Sequence, residues 1–392
     1  VNRNKVALCA ALALCAPTVV NAQSSSPSPQ QEAAPPPAPG GAPPAAGSAG
    51  GNPLARLLLM PDLSAIASFA GAWDSYDVER RSPDRGELYG KREQPTFIFQ
   101  EVELGLQAVV DPYFRADVFI AFTPEEVDVE EAYATTLSLP AGLQLRAGKF
   151  FSPFGRLNQQ HPHVWEFVDA PLARGRLLAT ETLSGPGAAG SWLAPLPWFA
   201  QVELAAQTTA PYEGQDGELT GTARLLQYFT LSESASLGVG LSAARRREGA
   251  PGAFRDMGAV DLYLRNRPVG ARSYLSLQGE VYLRRFRHLA DPAAVGGAEP
   301  SGSKVQGAYW AQAFWRQNPF VGYGVRYDEA PAAGESAPGR ERRVSAVLDW
   351  YPSEFSRIAL QPSWDRLPGG KTGFEALLHF EYAMGAHGAH PF

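Results

Sequence analysis

The chain has 392 residues, 45% hydrophobic and 19% charged, and 40 Asp and Glu against 34 Lys and Arg give a formal net charge of -6. That acidic balance excludes a nucleic-acid binder, whose affinity rests on basic side chains neutralising phosphates. The 2 cysteines, Cys9 and Cys15, both lie at the N-terminus, so disulfides, zinc-thiolate sites, thiol nucleophiles and iron-sulfur clusters are excluded from everything downstream.

Residues 1–22 read as a secretory signal peptide: Arg3 and Lys5 are followed by an apolar run from Val6 to Ala16 and by the small-residue cleavage pattern Val20-Asn21-Ala22. The apolar run is too short to span a bilayer, and Leu8 and Leu14 stand before the cysteines where a lipoprotein signal needs a small residue. Residues 23–53 are almost entirely Ser, Pro, Gln, Ala and Gly, a composition that cannot bury enough apolar surface to offset its ordering entropy; a disordered linker is expected. Beyond it no stretch is apolar for 18 residues, so no transmembrane helix is expected.

From Asp62 onwards the pattern has period two. Phe114, Ala116, Val118, Ile120 and Phe122 alternate with Arg115 and Asp117; Leu275, Leu277, Val281 and Leu283 alternate with Ser276, Gln278, Glu280 and Arg284. Strands with one apolar and one polar face produce this alternation. Sixteen are predicted, at about 62–74, 96–110, 113–122, 127–139, 142–151, 187–194, 198–208, 221–231, 235–245, 257–265, 271–287, 305–316, 320–328, 342–350, 355–365 and 374–385. Helical periodicity is scarcely visible, apart from a turn at Leu54 to Met60.

The connections alternate. After even-numbered strands they are short, as at Asp111-Pro112, Pro140-Ala141 and Asn318-Pro319; after odd-numbered strands they are mostly long, as at 75–95, 152–186 and 288–304. Long extracellular loops and short periplasmic turns characterise a transmembrane antiparallel β-barrel, and residues 54–392 are assigned to one. Trp192, Trp198, Trp315, Trp350, Phe320 and Phe355 sit at strand ends beside the short turns, as an interfacial aromatic girdle does. The last apolar face, Leu378, Phe380, Tyr382 and Met384, leads by twos to Phe392, a terminal aromatic resembling the assembly signal of outer-membrane proteins. A soluble all-β sandwich or barrel is the alternative.

The segment Val129-Glu130-Glu131-Ala132-Tyr133, followed by Leu143-Gln144-Leu145-Arg146-Ala147-Gly148-Lys149-Phe150-Phe151-Ser152-Pro153-Phe154-Gly155-Arg156, resembles the phosphate-selective porin (O/P-like) family of Gram-negative outer membranes. The resemblance implies a sixteen-stranded pore, a homotrimer, whose phosphate preference depends on lysine and arginine clusters around the constriction. Here Lys149 is the only lysine in the motif region, and the expected lumen mixes Arg115, Arg146, Arg284, Arg326 and Arg343 with Glu101, Glu103, Glu131, Glu203, Glu280, Asp349 and Glu381.

The longest connection, Ser152 to Pro186, falls where general porins fold a loop into the lumen; it carries Arg156, His161, His163, Trp165, Glu166, Asp169, Arg174, Arg176 and Glu181. Charged side chains around a narrow aperture set ion preference, so Arg115, Arg146, Lys149, Arg156, Glu166, Asp169, Arg174, Arg176, Glu101 and Glu131 are the candidate lumen and constriction residues. An ordinary solvated external loop is the plainer reading. His161-Pro162-His163 near Glu166 and Asp169 offers imidazole and carboxylate ligands to a divalent cation, without the spacing of a recognised motif. No cofactor is expected. No nucleophile elbow, phosphate loop or zinc-protease motif appears, and His379 between Glu375 and Glu381 is the nearest approach to a rim-type catalytic group, so an enzyme is not expected. The sequence reads as an outer-membrane channel for small polar or ionic solutes, with bilayer lipid as its partner. A plugless receptor for a metal chelate or siderophore, and a structural or adhesive surface barrel, are the alternatives.

Overall fold

The computed structural model describes residues 61–75, 96–124, 126–178, 182–209, 217–247, 254–288, 302–332 and 339–385. The expected signal peptide, the linker, the Leu54 to Met60 turn, Glu181, His387, His390 and Phe392 lie outside them. Sixteen strands close into one antiparallel barrel in which each strand pairs with its sequence neighbours and β1 pairs with β16. They are β1 (Asp62–Asp74), β2 (Thr96–Val109), β3 (Phe114–Phe122), β4 (Val127–Thr136), β5 (Leu143–Phe151), β6 (Ser184–Leu193), β7 (Phe199–Thr209), β8 (Glu218–Thr230), β9 (Ala235–Arg247), β10 (Phe254–Asn266), β11 (Tyr274–His288), β12 (Gly302–Arg316), β13 (Val321–Pro331), β14 (Arg340–Ser353), β15 (Ser356–Arg366) and β16 (Thr372–Gly385). Each coincides with an expected strand to within a few residues at its ends.

Burial separates a membrane barrel from a soluble one. On β11, Ser276, Gln278, Glu280 and Arg284 are buried, whereas Leu275, Leu277, Val281 and Leu283 are 39% to 56% exposed. The same inversion holds on β14, where Glu341, Arg343, Ser345 and Asp349 are buried while Val344, Leu348 and Trp350 face outward. A soluble protein hides its apolar side chains; this one turns them out all round a closed ladder, which leaves no sheet edge and suits a hydrocarbon solvent. No helix among the described residues is long and apolar enough to cross a membrane.

The apolar core lies inside the barrel, between the wall and the segment joining β5 to β6. Phe154, Leu157, Leu172, Ala173, Leu177 and Leu183 of that segment pack on Met257, Tyr282 and Trp310 of the wall, and Phe167 and Val168 pack on Phe314, Val347, Ala359 and Leu377. The described residues of the segment form two single 3-10 turns, at Leu157–Gln159 and Pro162–Val164, and one short helix, α1 (Leu172–Leu177). α1 is a departure from the sequence expectation: six residues are too few to display a helical period, and all six are buried, so no polar face marks it.

Candidate functional site

The β5 to β6 segment turns into the lumen, and its first residues explain why. Gly155 adopts φ +68°, and a Cβ there would stand 2.9 Å from Glu280 Oε2. Glycine alone accepts both the left-handed backbone and the close approach. Once the chain turns, successive amides find acceptors on the wall: Gly155 N donates to Ser242 Oγ at 3.0 Å, and Arg156 N and Leu157 N donate to Glu280 Oε1 at 2.8 and 2.7 Å. A loop buried without secondary structure must satisfy its backbone in this way.

The middle of the segment is fastened to β13, β14 and β15 by charge. Arg326 Nη2 donates to Asp169 Oδ1 at 2.5 Å, Arg343 Nη1 to Asp169 Oδ2 at 2.5 Å, and Gln361 Nε2 to Asp169 Oδ1 at 2.6 Å. Arg343 also binds Asp365 and Glu375, and Arg176 Nη2 donates to Glu341 Oε2 at 2.6 Å. Arg357 donates to the carbonyls of Trp165 and Glu166, each at 2.8 Å. Burial opposes the charge of Asp169, but Arg326, Arg343 and Gln361 more than compensate and hold its carboxyl well below the usual carboxylate range. Glu166 is the opposite case: burial pushes its carboxyl up, and the hydrogen bonds from Ser276 and Gln312 only partly offset that.

On β2 and β4, beyond β16 and β1, the fastening is imidazole to carboxylate. His161 Nδ1 lies 2.9 Å from Glu103 Oε2 and 3.0 Å from Glu130 Oε2, while His161 Nε2 lies 2.9 Å from Glu131 Oε2. His163 Nδ1 is 3.4 Å from the same Glu103 oxygen. Burial disfavours the His161 imidazolium, yet the three carboxylates outweigh it and hold the ring well above the ordinary histidine range.

Two cavities flank the segment among the described residues, with Phe151, Trp165, Phe167, Asp169 and Pro171 lining both. The cavity toward the long loops is about 280 Å³ and holds Glu101, Glu126, Asp128, Glu130, Arg174 and Arg176 on its walls. The cavity toward the short turns is about 750 Å³, and three of its arginines stack on tyrosines: Arg146 over Tyr133 at 4.7 Å, Arg156 over Tyr263 at 3.9 Å and Arg265 over Tyr274 at 4.6 Å. Arg156 also donates to the Tyr228 hydroxyl at 3.1 Å. None of the three has a carboxylate within ion-pair distance among the described residues. Stacking holds a guanidinium in place while leaving its edge N–H groups pointed at whatever enters.

The expected site residues therefore separate. Glu166, Asp169, Arg174 and Arg176 come together on the inserted segment, joined by Arg156, His161 and His163. Arg146 faces the larger cavity, and Glu101 the smaller. Glu131 lines the larger cavity too, but its carboxylate is taken up by His161 and by the Phe151 amide at 2.9 Å. Arg115 and Lys149 line neither; Arg115 is paired with Asp117 at 2.6 Å and Lys149 with Asp128 at 3.0 Å. The sequence reading missed Arg265, Arg357 and Gln361, which lie on inward positions of β10 and β15 and were readable from alternation, though not as partners of the segment. His379 is bonded to Ser68 Oγ at 2.8 Å inside the barrel.

A closed sixteen-strand barrel with an outward apolar band, a polar lumen and a loop folded across it defines the class: the fold is that of Gram-negative outer-membrane porins. Solved structures with this fold include an anion-selective porin from Comamonas acidovorans (TM-score 0.57, 10% identity, 83% of this chain and 99% of that one). They also include the outer-membrane channel DcaP of Acinetobacter baumannii (0.56, 10%, 83% and 97%) and Pseudomonas putida OprB (0.53, 9%, 83% and 94%). No family model matches the chain, and the phosphate-selective family suggested by the local motif is not singled out; the likeness stands at the level of porin barrels. In sequence the chain is 32% identical over 394 residues to an uncharacterized protein of Aquifex aeolicus, covering 87% of this chain and 82% of that one. It belongs to the same family as the Aquifex protein.

Proposed function

We propose that the protein is an outer-membrane channel through which small polar or ionic solutes diffuse, and that its narrow region favours anions. The observation that carries the reading is the trio Arg146, Arg156 and Arg265, stacked on tyrosines around the larger cavity with no carboxylate at ion-pair distance among the described residues. Of the four carboxylates that share this cavity three are engaged, while Glu203 has a single contact among the described residues, with Gln159 at 3.5 Å. Asp169 is held by two arginines, Glu131 by His161, and Glu166 by Ser276 and Gln312 in a position where burial weakens its charge. A unit charge about 6 Å from a permeating ion in water is worth about 0.7 kcal/mol, so each guanidinium without an ion-pair partner biases occupancy up to severalfold, less where a cavity carboxylate such as Glu166 lies near, as it does to Arg156.

Purified protein in a planar bilayer tests this. Open steps with a reversal potential on the anion side across a salt gradient support it. Cation preference overturns the selectivity, and a folded but silent barrel overturns the channel and favours a receptor or adhesive barrel whose lumen the segment plugs.

A further inference from the structure

The ion pairs that hold the inserted segment are not alike on the two walls. On β13 to β15 every loop carboxylate in contact meets a guanidinium. On β2 and β4 three carboxylates converge on one imidazole, and neither Glu130 nor Glu131 has an arginine or lysine partner among the described residues. The arrangement around His161 is also specific. A neutral or charged imidazole has at most one proton on Nδ1, yet oxygens of Glu103 and Glu130 lie at 2.9 and 3.0 Å from that one atom. The ligand atoms of Glu103, Glu130 and His161 lie within 4.8 Å of one another, the spacing of atoms that share one ion. His163 Nδ1, 3.4 Å from the same Glu103 oxygen, stands beside this group of three and outside it. On the far side of the ring Nε2 meets Glu131 at 2.9 Å. A carboxylate on the distal nitrogen holds a proton there, so that an ion displacing the proton on Nδ1 meets the Nδ1 lone pair between the Glu103 and Glu130 oxygens.

We propose that Glu103, Glu130 and His161 bind one divalent transition-metal ion of the zinc class, with Glu131 as the positioning residue that orients His161. One imidazole nitrogen with two carboxylate oxygens, water completing the shell, suits zinc and its neighbours rather than calcium or magnesium, which take oxygen ligands alone. The ion balances the Glu103 and Glu130 charges and ties the segment to β2 and β4, as arginines tie it to β13, β14 and β15. It reaches the site from the smaller cavity, whose wall includes Glu130 and His163. The inference is independent of the channel's selectivity and survives if that reading fails.

The test uses the full exported chain, folded in detergent, stripped with a chelator and titrated with Zn²⁺, bound metal being measured after gel filtration. One ion per chain is expected in the wild type and none in His161→Ala or Glu130→Gln, each checked for folding by heat-dependent electrophoretic migration. Glu131→Gln retains the ligands and is expected to bind about 10- to 100-fold more weakly. His387→Ala with His390→Ala is expected to change nothing. Cobalt substituted for zinc in the wild type should show the visible absorption of a four-coordinate site, and X-ray absorption of the zinc form should show an imidazole in an all-nitrogen and oxygen shell. No stoichiometric uptake by the wild type, a shell without imidazole, or uptake abolished by the C-terminal pair alone overturns the proposal. That wild-type spectroscopy decides the matter even where a ligand variant fails to fold.

Discussion

Asp169 on the inserted segment and Arg343 on β14 meet at 2.5 Å in the interior of the barrel, both almost wholly buried. The pair is the centre of a network that includes Arg326, Asp365 and Glu375. Removing one member strands the others. Asp169→Ala is expected to cost about 3–5 kcal/mol, measured from urea unfolding in lipid vesicles, because two guanidinium groups lose the carboxylate between them. The same variant should raise open-channel current noise, since the segment keeps its Glu280 and His161 fastenings while its middle is released.

The network also fixes a pH dependence. The Asp169 carboxyl titrates below its value in the unfolded chain, so the stability it supplies is complete above about pH 4 and is lost as the pH falls further. Wild-type and Asp169→Asn unfolding midpoints should differ at pH 7 and converge in acid; a constant difference between them would contradict the assignment.

Glu166 behaves with the opposite sign. Its carboxyl is raised by burial, so the stability linked to its protonated form is present in acid and lost as the pH rises through its folded-state value. Glu166→Gln, which keeps the shape without the charge, should therefore gain stability relative to wild type at pH 7 and gain less at pH 4.

Selectivity should follow the stacked arginines. Arg146→Gln, Arg156→Gln and Arg265→Gln are each expected to reduce the anion-to-cation permeability ratio about threefold at low salt, with smaller effects in molar salt where screening is strong. Reversal potentials across a salt gradient measure it. Arg115→Gln, paired with Asp117 and outside both cavities, serves as the control and should leave the ratio unchanged.

The two faces of one strand should respond differently to the same change. Leu277→Arg puts a charge on the lipid side and should cost about 2–4 kcal/mol if it lies near the bilayer midplane. Gln278→Arg, one residue on, faces the lumen and should cost far less, as unfolding in vesicles would show.

Most of the barrel was legible in sequence because its alternation is enforced by two unlike solvents. A residue such as Leu277 or Gln278 has one acceptable direction, so the period-two signal survived in strand after strand. The candidate site was legible in part. The length and place of the Ser152 to Pro186 connection, with its charged residues, marked the candidate inserted segment. What it touches was not legible: Asp169 and Gln361 are 192 residues apart, and no local pattern joins them. Trp310 and Phe314 face inward against the expected polar lumen, and this breach of the alternation is the footprint of the segment's apolar side. Such inward aromatics were the signal that could have located the docking wall.

The long separations also order the assembly of the molecule. Val168, Asp169 and Leu172 bond to partners 156 to 193 residues further along the chain. Those acceptors and donors reach their places only when β13, β14 and β15 have joined the sheet, so the segment is made early in synthesis and seated late. A barrel newly closed in the membrane would pass through a wide-bore stage, and its permeability barrier would be set by the final docking of a loop rather than by closure of the wall.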